Sequence, residues 1–391
     1  MMCSFTFATS LSNMFINVFI WKLNSSLSLL ALYSLVFSLV ILASFPLCAV
    51  FARKRTPMAS LRLGILCFLA TYALVLLYQE RSADHIFEIG LGMGLGASFF
   101  AIGMHMGMLD STRDRGRDRF LYVSNLLNSV SGMLAPLLSG FLIDRFAGMK
   151  GYYFVFSITL VWFLISIVFS LKLKGKQVAK ESHLLEVWKN PTREWRGMYW
   201  ITMGSGFVEG TYLTFLITMM GYSILQSELS LGGIATFAAV ISMLTSLVLA
   251  RISKPENRLP VYSTGAVLLC ASSLWIAVHP TFLSLVAYTI VSTVGLNLIN
   301  TTFNAWTYAS IEKDPDYAAR RLDYVVVREI PLGVGRTIGI VFFLALQAYV
   351  AQNVLAVSFA AFGAVYLLMI PLLKRIWSEK RAVTPQQNLS A

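Results

Sequence analysis

Apolar residues along this chain come in long runs broken by short polar segments, and each run is about 20 residues. A helix rises about 1.5 Å per residue, so runs of that length match the hydrocarbon thickness of a bilayer. Twelve runs predict twelve spanning helices, at 2–20, 28–51, 59–78, 85–109, 120–143, 152–171, 198–221, 229–250, 260–278, 281–305, 325–349 and 353–373. None shows the ten-residue polar/apolar alternation of a transmembrane β-barrel, which excludes that class. The connections are short except for 172–197, KLKGKQVAKESHLLEVWKNPTREWRG, which divides the spans six and six. The pattern predicts an all-α integral membrane protein with an amino-terminal bundle (1–171), a central loop (172–197), a carboxy-terminal bundle (198–373) and a tail (374–391).

Composition agrees: 57% of the 391 residues are hydrophobic and 13% charged, against roughly 25% charged in a soluble domain. The net charge of +12 reads as a topology signal. With both termini cytoplasmic, the inner segments hold 26 of the 31 Lys and Arg. The outer connections hold four (Lys22, Arg81, Arg145, Lys150), and Arg336 lies inside a span. Such a bias is the positive-inside pattern, and an odd number of spans would destroy it. The charges spread over several short loops and form no compact face, so no nucleic-acid partner is expected. The first span has neither the charged leader nor the small-residue cleavage site of a signal peptide, and is expected to be a retained helix. Cys3, Cys48, Cys67 and Cys270 all lie in apolar runs, as buried small hydrophobes rather than a disulfide framework or metal site.

The halves repeat. VFARKRTP (50–57) and VLARISKP (248–255) share V-x-A-R-x-x-x-P at an offset of 198, and SSLSL (25–29) and SELSL (227–231) share S-x-L-S-L at an offset of 202. Parallel repeats of this kind place substrate near the midplane between halves. Twelve spans in two halves with a basic turn after helices 2 and 8 resemble the major facilitator superfamily of secondary transporters. SNMFINVFIWK (12–22), VEGTY (208–212) and RLDYVVVREIPLGVGR (321–336) resemble a group of uncharacterised permeases of Gram-positive bacilli. The resemblance implies the major facilitator fold and transport by alternating access. After helix 2 the superfamily's gating loop reads G-x-x-x-D-R-x-G-R-R. Arg53, Lys54 and Arg55 keep its positive cluster, and Arg251 repeats it in the second half, but the acid is missing. GMLAPLLSG (132–140) on helix 5 is similar to a motif associated with export by antiport and keeps Gly132, Pro136 and Gly140; equally, it suits a packing kink.

Glu209 sits alone among about twenty uncharged residues of the seventh span. A charge at the bilayer centre costs about 2.5–3.5 kcal/mol on insertion scales and normally finds a partner inside the protein. Arg336 is the basic candidate: each residue lies 11 past the start of its span, about 16 Å deep. The pair is expected either to couple a proton to transport or to pin helix 7 to helix 11. Asn13 and Asn17 on helix 1, Glu88 and His105 on helix 4, Asn125 and Asn128 on helix 5, and Asn297, Asn300 and Asn304 on helix 10 form polar stripes that suit either a wet cavity or interhelical packing. The stretch 180–190 is expected to form a short amphipathic helix dipping Leu184, Leu185 and Trp188 into the interface, and 110–119 to be a charge network or a solvated loop.

No phosphate-binding loop, nucleophile elbow or zincin motif occurs, so no enzyme, cofactor or metal is expected and energy must come from a gradient. Three readings follow: a plasma-membrane secondary transporter, in particular a monomeric proton-coupled exporter of small amphipathic compounds; a flippase for lipid or lipid-linked precursors on the same fold; and a non-transporting membrane scaffold or sensor. Beyond membrane lipids, the expected partners are a small solute and a proton.

Overall fold

The computed structural model describes residues 1–111, 117–173, 175, 177–179, 181–189, 193–252, 255–311, 314, 316–350 and 353–375; the side chains of 108–128 lie outside this description. Every regular element among the described residues is helical. The first six are α1 (Met2–Asn24), α2 (Leu27–Lys54), α3 (Pro57–Tyr78), α4 (Ile86–Ser111), α5 (Arg117–Arg145) and α6 (Lys150–Leu171). After the short α7 (Leu184–Lys189), a longer helical run comprises α8 (Arg193–Val208), a π-helical stretch (Glu209–Leu216) and α9 (Ile217–Leu225). The chain continues with α10 (Glu228–Ile252), α11 (Arg258–Val278), α12 (Phe282–Ile311), α13 (Tyr317–Tyr349) and α14 (Val354–Leu368).

Ten helices among the described residues are long and apolar enough to cross a membrane. Tight turns join them where the sequence changes character. Ser26 caps α2 by accepting from the Leu29 N–H at 3.3 Å, and Thr56 caps α3 by accepting from Ala59 N–H at 3.1 Å, with Pro57 at the first helical position. Ser25, Gln79 and Gln226 take left-handed backbone to end α1, α3 and α9.

The packing repeats as the sequence repeats. In the first six helices α1 packs on α5 and α6, α3 on α4 and α6, and α2 on α4. In the second set α8 packs on α13 and α14, α11 on α12 and α14, and α10 on α12. The two sets meet mainly through α2 against α13 and α5 against α10. Two faces can be told apart. One carries the carboxy-terminal ends of α2 and α6, the amino-terminal end of α13 and most of the basic residues; we call it the basic face. The opposite face carries the end of α1 and the start of α10.

α7 forms within the stretch expected to be amphipathic, but it packs on the protein. Val187 is the buried residue, clustered with Trp195, Tyr324 and Val327, while Leu185 stays exposed and Trp188 stacks on Tyr199. The side chains of the expected charge network at 110–119 and the whole tail after Arg375 lie outside the described residues.

Candidate functional site

The seventh span is not one regular helix. At VEGTY it changes from α to π geometry, which places one more residue in each turn. Local bonds explain why the change is stable. The Thr214 hydroxyl donates to the Glu209 carbonyl at 2.7 Å, and Asn17 Nδ2 of α1 donates to the Thr214 carbonyl at 2.9 Å. The buried Tyr212 hydroxyl bonds Ser273 at 2.6 Å and Tyr288 at 2.8 Å, tying the stretch to α11 and α12. Glu209 is the first residue of the π segment, so its side chain is held at a backbone irregularity of the kind that recurs at functional sites.

Arg336 of α13 meets it. Nε and Nη2 both donate to Glu209 Oε1, at 3.2 and 3.0 Å, while Nη1 donates to Glu329 Oε1 at 2.5 Å. One guanidinium thus serves two carboxylates. Small residues allow the approach. A methyl at Gly335 would overlap the Met203 carbonyl, one at Gly339 the Phe207 carbonyl, and one at Gly206 the Leu332 carbonyl, so α8 and α13 touch backbone to backbone. Exposure divides the triad: the Arg336 side chain is 10% exposed and Glu329 13%, but Glu209 is 42%. Glu209 Oε2 takes no hydrogen bond among the described residues.

Glu209 faces a cavity of about 340 Å³. Three helices line it at helical spacing: Phe37, Ile41 and Phe45 from α2, Ala97, Ala101 and His105 from α4, and Arg328, Leu332 and Arg336 from α13, with Glu329 beside them. The first set contributes an apolar wall broken by one imidazole, and the second contributes all the formal charge. Arg328 and Glu329 were not foreseen as site residues. Both lie at the start of the predicted span 325–349, and α13, which begins at Tyr317, carries both into the cavity. Their signal is RLDYVVVREIPLGVGR itself, which contains all three charged cavity residues of α13.

Both faces are tied across the two sets of helices. On the basic face Arg53 Nη2 pairs with Asp323 Oδ1 at 2.5 Å, and Arg53 Nη1 donates to the carbonyls of Ala179 and Glu181. Asp323 also accepts from the His183 N–H, so the central segment is strapped over the joint. Beneath it Ile41, Phe45, Ala49 and Ala52 of α2 pack with Leu322, Val325 and Val326 of α13. The acid missing from the helix-2 loop is thus matched by one on α13, Asp323, as the partner of Arg53. On the opposite face Lys22 pairs with Glu228, which also accepts from the Tyr152 hydroxyl at 2.7 Å, with Lys22 lying over the rings of Tyr152 and Tyr222.

Next to the basic-face tie, Asp314 accepts from the Asp316 backbone N–H at 2.9 Å, the Tyr324 hydroxyl at 2.8 Å and Arg320 at 3.4 Å. Burial alone would raise this carboxyl, but the bonds outweigh it and hold it below the ordinary carboxylate range. A depressed folded-state pKa gives stability that is present above the unfolded value of about 3.9 and is lost as pH falls through the folded one. Asp314→Asn is expected to lower the thermal midpoint of the purified protein at pH 7. The difference from wild type should vanish toward about pH 2–3.

The other expected residues divide. Asn17 braces the π segment, and its Oδ1 is buried without a partner among the described residues. Asn304 accepts from Arg328 at 3.1 Å, and Asn297 bonds Ser242 of α10 and the Thr293 carbonyl, joining α12 to α10 away from the cavity. His105 lines the cavity. Asn13 and Asn300 are exposed and none of their side-chain atoms is bonded among the described residues. Glu88 is exposed at the start of α4 and pairs with His85, a terminal position outside the cavity. Lys54, Arg55 and Arg251 are exposed, and among the described residues Arg53 is the member of this basic cluster tied across the interface. Pro136 and Gly140 meet α10, where a methyl on Gly140 would overlap the Glu228 carbonyl and one on Gly232 the Pro136 carbonyl; Gly132 has open space around it. The side chains of Asn125 and Asn128 lie outside the described residues.

Two packed sets of membrane helices closing on a small charged cavity define a multi-pass membrane transporter, not an enzyme. The sequence profile of the Major Facilitator Superfamily matches residues 1–320, and the chain belongs to that superfamily. It is a multi-pass protein of the plasma membrane. It is 28% identical to the "Uncharacterized protein YqgE" of Bacillus subtilis (strain 168) over 375 residues, covering 95% of this chain and 87% of that protein. Over 152 residues it is 30% identical to the "Uncharacterized protein in sodM 3'region" of Geobacillus stearothermophilus, covering 39% of this chain and 71% of that protein. Among solved structures it resembles the human organic anion transporter MFSD10, with a TM-score of 0.66, 12% identity and coverage of 95% and 97%. It also resembles a POT family transporter in complex with 5-aminolevulinic acid, with a TM-score of 0.69, 11% identity and coverage of 96% and 95%. At these identities the structural likeness is one of fold.

Proposed function

We propose that the protein is a monomeric secondary transporter that moves a small amphipathic solute by alternating access, with a proton as coupling ion and Glu209 as its carrier. The observation that carries this reading is the state of Glu209. One oxygen is held by Arg336, the other is unbonded among the described residues, and the side chain is 42% exposed at a π-helical irregularity. A carboxylate kept for packing alone has no need of that access, and an ionisable group inside a membrane protein is costly to keep without a use. Protonating Glu209 weakens its hold on Arg336, so the joint between the π segment and α13 responds to the proton.

Topology belongs to the same proposal. α5 and the α8–α9 run join the ten apolar helices to give twelve spans in two six-helix domains, 1–171 and 198–373. The positive-inside bias places the basic face and both termini in the cytoplasm. Alternating access then requires that the Arg53–Asp323 and Lys22–Glu228 ties open one at a time. Export is the direction suggested by the helix-5 motif, whose Pro136 and Gly140 lie at the α5–α10 contact that a rocking motion would shear.

The test is solute-dependent proton flux in proteoliposomes holding a set pH gradient, with a panel of dyes, sugars, amino acids and organic acids. Glu209→Gln is expected to keep its thermal stability within about 1 kcal/mol of wild type. Its coupled proton flux should fall by at least about tenfold. Equal flux in both proteins would remove Glu209 from the mechanism and leave it a helix pin. Scrambling of a fluorescent lipid without solute flux would instead establish a flippase, and neither activity a scaffold.

A further inference from the structure

The cavity holds two guanidinium groups in opposite conditions. Arg336 is saturated by two carboxylates. Arg328, two turns away on the same helix, has no carboxylate bond among the described residues. Its Nη2 donates to Asn304 at 3.1 Å, and its guanidinium carbon lies 5.8 Å from the centre of the Phe303 ring. Its Nε is buried without a hydrogen bond among the described residues, and the bond of its guanidinium to Asn304 is made by Nη2. Arg328 is half-buried, with its Nε out of reach of water, and an amide with one ring compensates only part of the cost of that withdrawal. The formal charges of Glu209, Glu329, Arg336 and Arg328 sum to zero, but the surplus negative charge is bonded to Arg336. Arg328 is thus fixed in direction by two residues of α12 and open on its remaining donors.

We infer that Arg328 is the anchor for an anionic group on the transported solute, and that the solute is a small amphipathic organic acid. This deepens the transporter proposal and rests on it. Eight residues separate Arg328 from Arg336, which is about 12 Å along the helix. Between them lie Leu332 on α13 and the apolar stripes Phe37–Ile41–Phe45 and Ala97–Ala101. An acid bonded to Arg328 thus has an apolar wall along which to lay its body, and His105 lies close enough to feel the same guanidinium charge. A volume of about 340 Å³ is within the range of small-molecule sites. A neutral solute would leave Arg328 uncompensated, and a cation would be repelled by it. A carboxylate or phosphate makes a charge-assisted, bidentate contact that a guanidinium suits better than an ammonium.

The test is binding rather than transport, so that it stands apart from the proton-flux experiment. Protein in nanodiscs of zwitterionic lipid would be titrated with 4-phenylbutyrate, benzoate, octanoate and phenyl phosphate, each acid against its neutral amide or alcohol, with thermal midpoint as the readout. At least one acid is expected to stabilise the wild type, where its neutral counterpart does not. Arg328→Gln should weaken that effect at least about tenfold in concentration, and Arg328→Lys should weaken it less. The inference is overturned by equal effects of acids and neutral counterparts on the wild type, by silence across the panel, or by an unchanged response in Arg328→Gln. The first two outcomes are decided on wild type, whatever the variants do to folding. A repeat with phosphatidylglycerol in the nanodisc separates the sources. If that lipid alone stabilises, through Arg328, the anion is a headgroup and the small-solute assignment fails. Binding that persists when coupled flux is absent would sink the transporter reading and keep the site.

Discussion

Replacing Arg336 with glutamine is expected to destabilise the protein by about 3–5 kcal/mol, the cost of leaving buried charge unpaired. The guanidinium is the shared partner of Glu209 and Glu329, and removing it leaves two carboxylates facing each other near the middle of the helices. Arg336→Lys keeps the charge but loses the fork that reaches both acids, so its effect should be intermediate. The informative variant is the triple neutral one, Arg336→Gln with Glu209→Gln and Glu329→Gln. It removes charge and partner together and is expected to recover most of the lost thermal stability, because an absent buried pair costs far less than a broken one. It should not recover proton-coupled transport. Thermal unfolding in one detergent, run on all four proteins beside Glu209→Gln, checks the series. If Arg336→Gln alone melted like wild type, the triad would not be the closed arrangement seen here.

The apolar spans were legible because hydropathy over about twenty residues is a property of composition, and helix ends fall within several residues of the apolar runs. The depth match of Glu209 and Arg336 was legible for the same reason, even though α8 and α13 begin outside the apolar runs. The two residues lie 16 and 19 positions past the observed helix starts, not 11, because both helices extend by charged turns beyond the runs. Arg328 and Glu329 sit at the very start of the 325–349 run, where charge reads as the boundary of a span rather than as part of a site. Charge at 320 and 323 reads as loop when the test is transfer to lipid, whereas in the folded chain those positions face a neighbouring helix and a strap. The π geometry at Glu209 leaves no mark on composition, since it depends on Thr214, Asn17 and Tyr212 finding partners, two of them on other helices. Charge pairs across the two halves were least legible of all. Arg53 was visible as part of a basic cluster lacking its acid, but Asp323 lies 270 residues away, and only the contact of α2 with α13 brings them together.

That last pair gives the second large effect. Asp323→Ala is expected to open the basic face and abolish most transport. The two side chains are 7% and 1% exposed, and Asp323 also holds the strap through the His183 N–H. Truncating one partner of such a pair costs about 2–5 kcal/mol. Here the cost falls on the closed arrangement, because an open basic face gives Arg53 back to water. A bias of that size shifts the balance between the two arrangements by at least about tenfold. Access is measurable with one reporter: Ala101→Cys, on the α4 wall of the cavity, in a protein whose Cys3, Cys48, Cys67 and Cys270 are replaced by serine. An impermeant maleimide added from the basic face should label the Asp323→Ala protein at least about tenfold faster than its parent. Adding Arg53→Asp to Asp323→Arg should slow labelling again, because the swapped pair restores attraction across α2 and α13. Disrupting Lys22–Glu228 should act in the opposite sense and more weakly, since Lys22 is already 34% exposed and repays less when freed. Opposite responses at the two faces are what a pair of gates produces. Two static clamps would give lower melting temperatures at both positions and no change in which side the reporter sees.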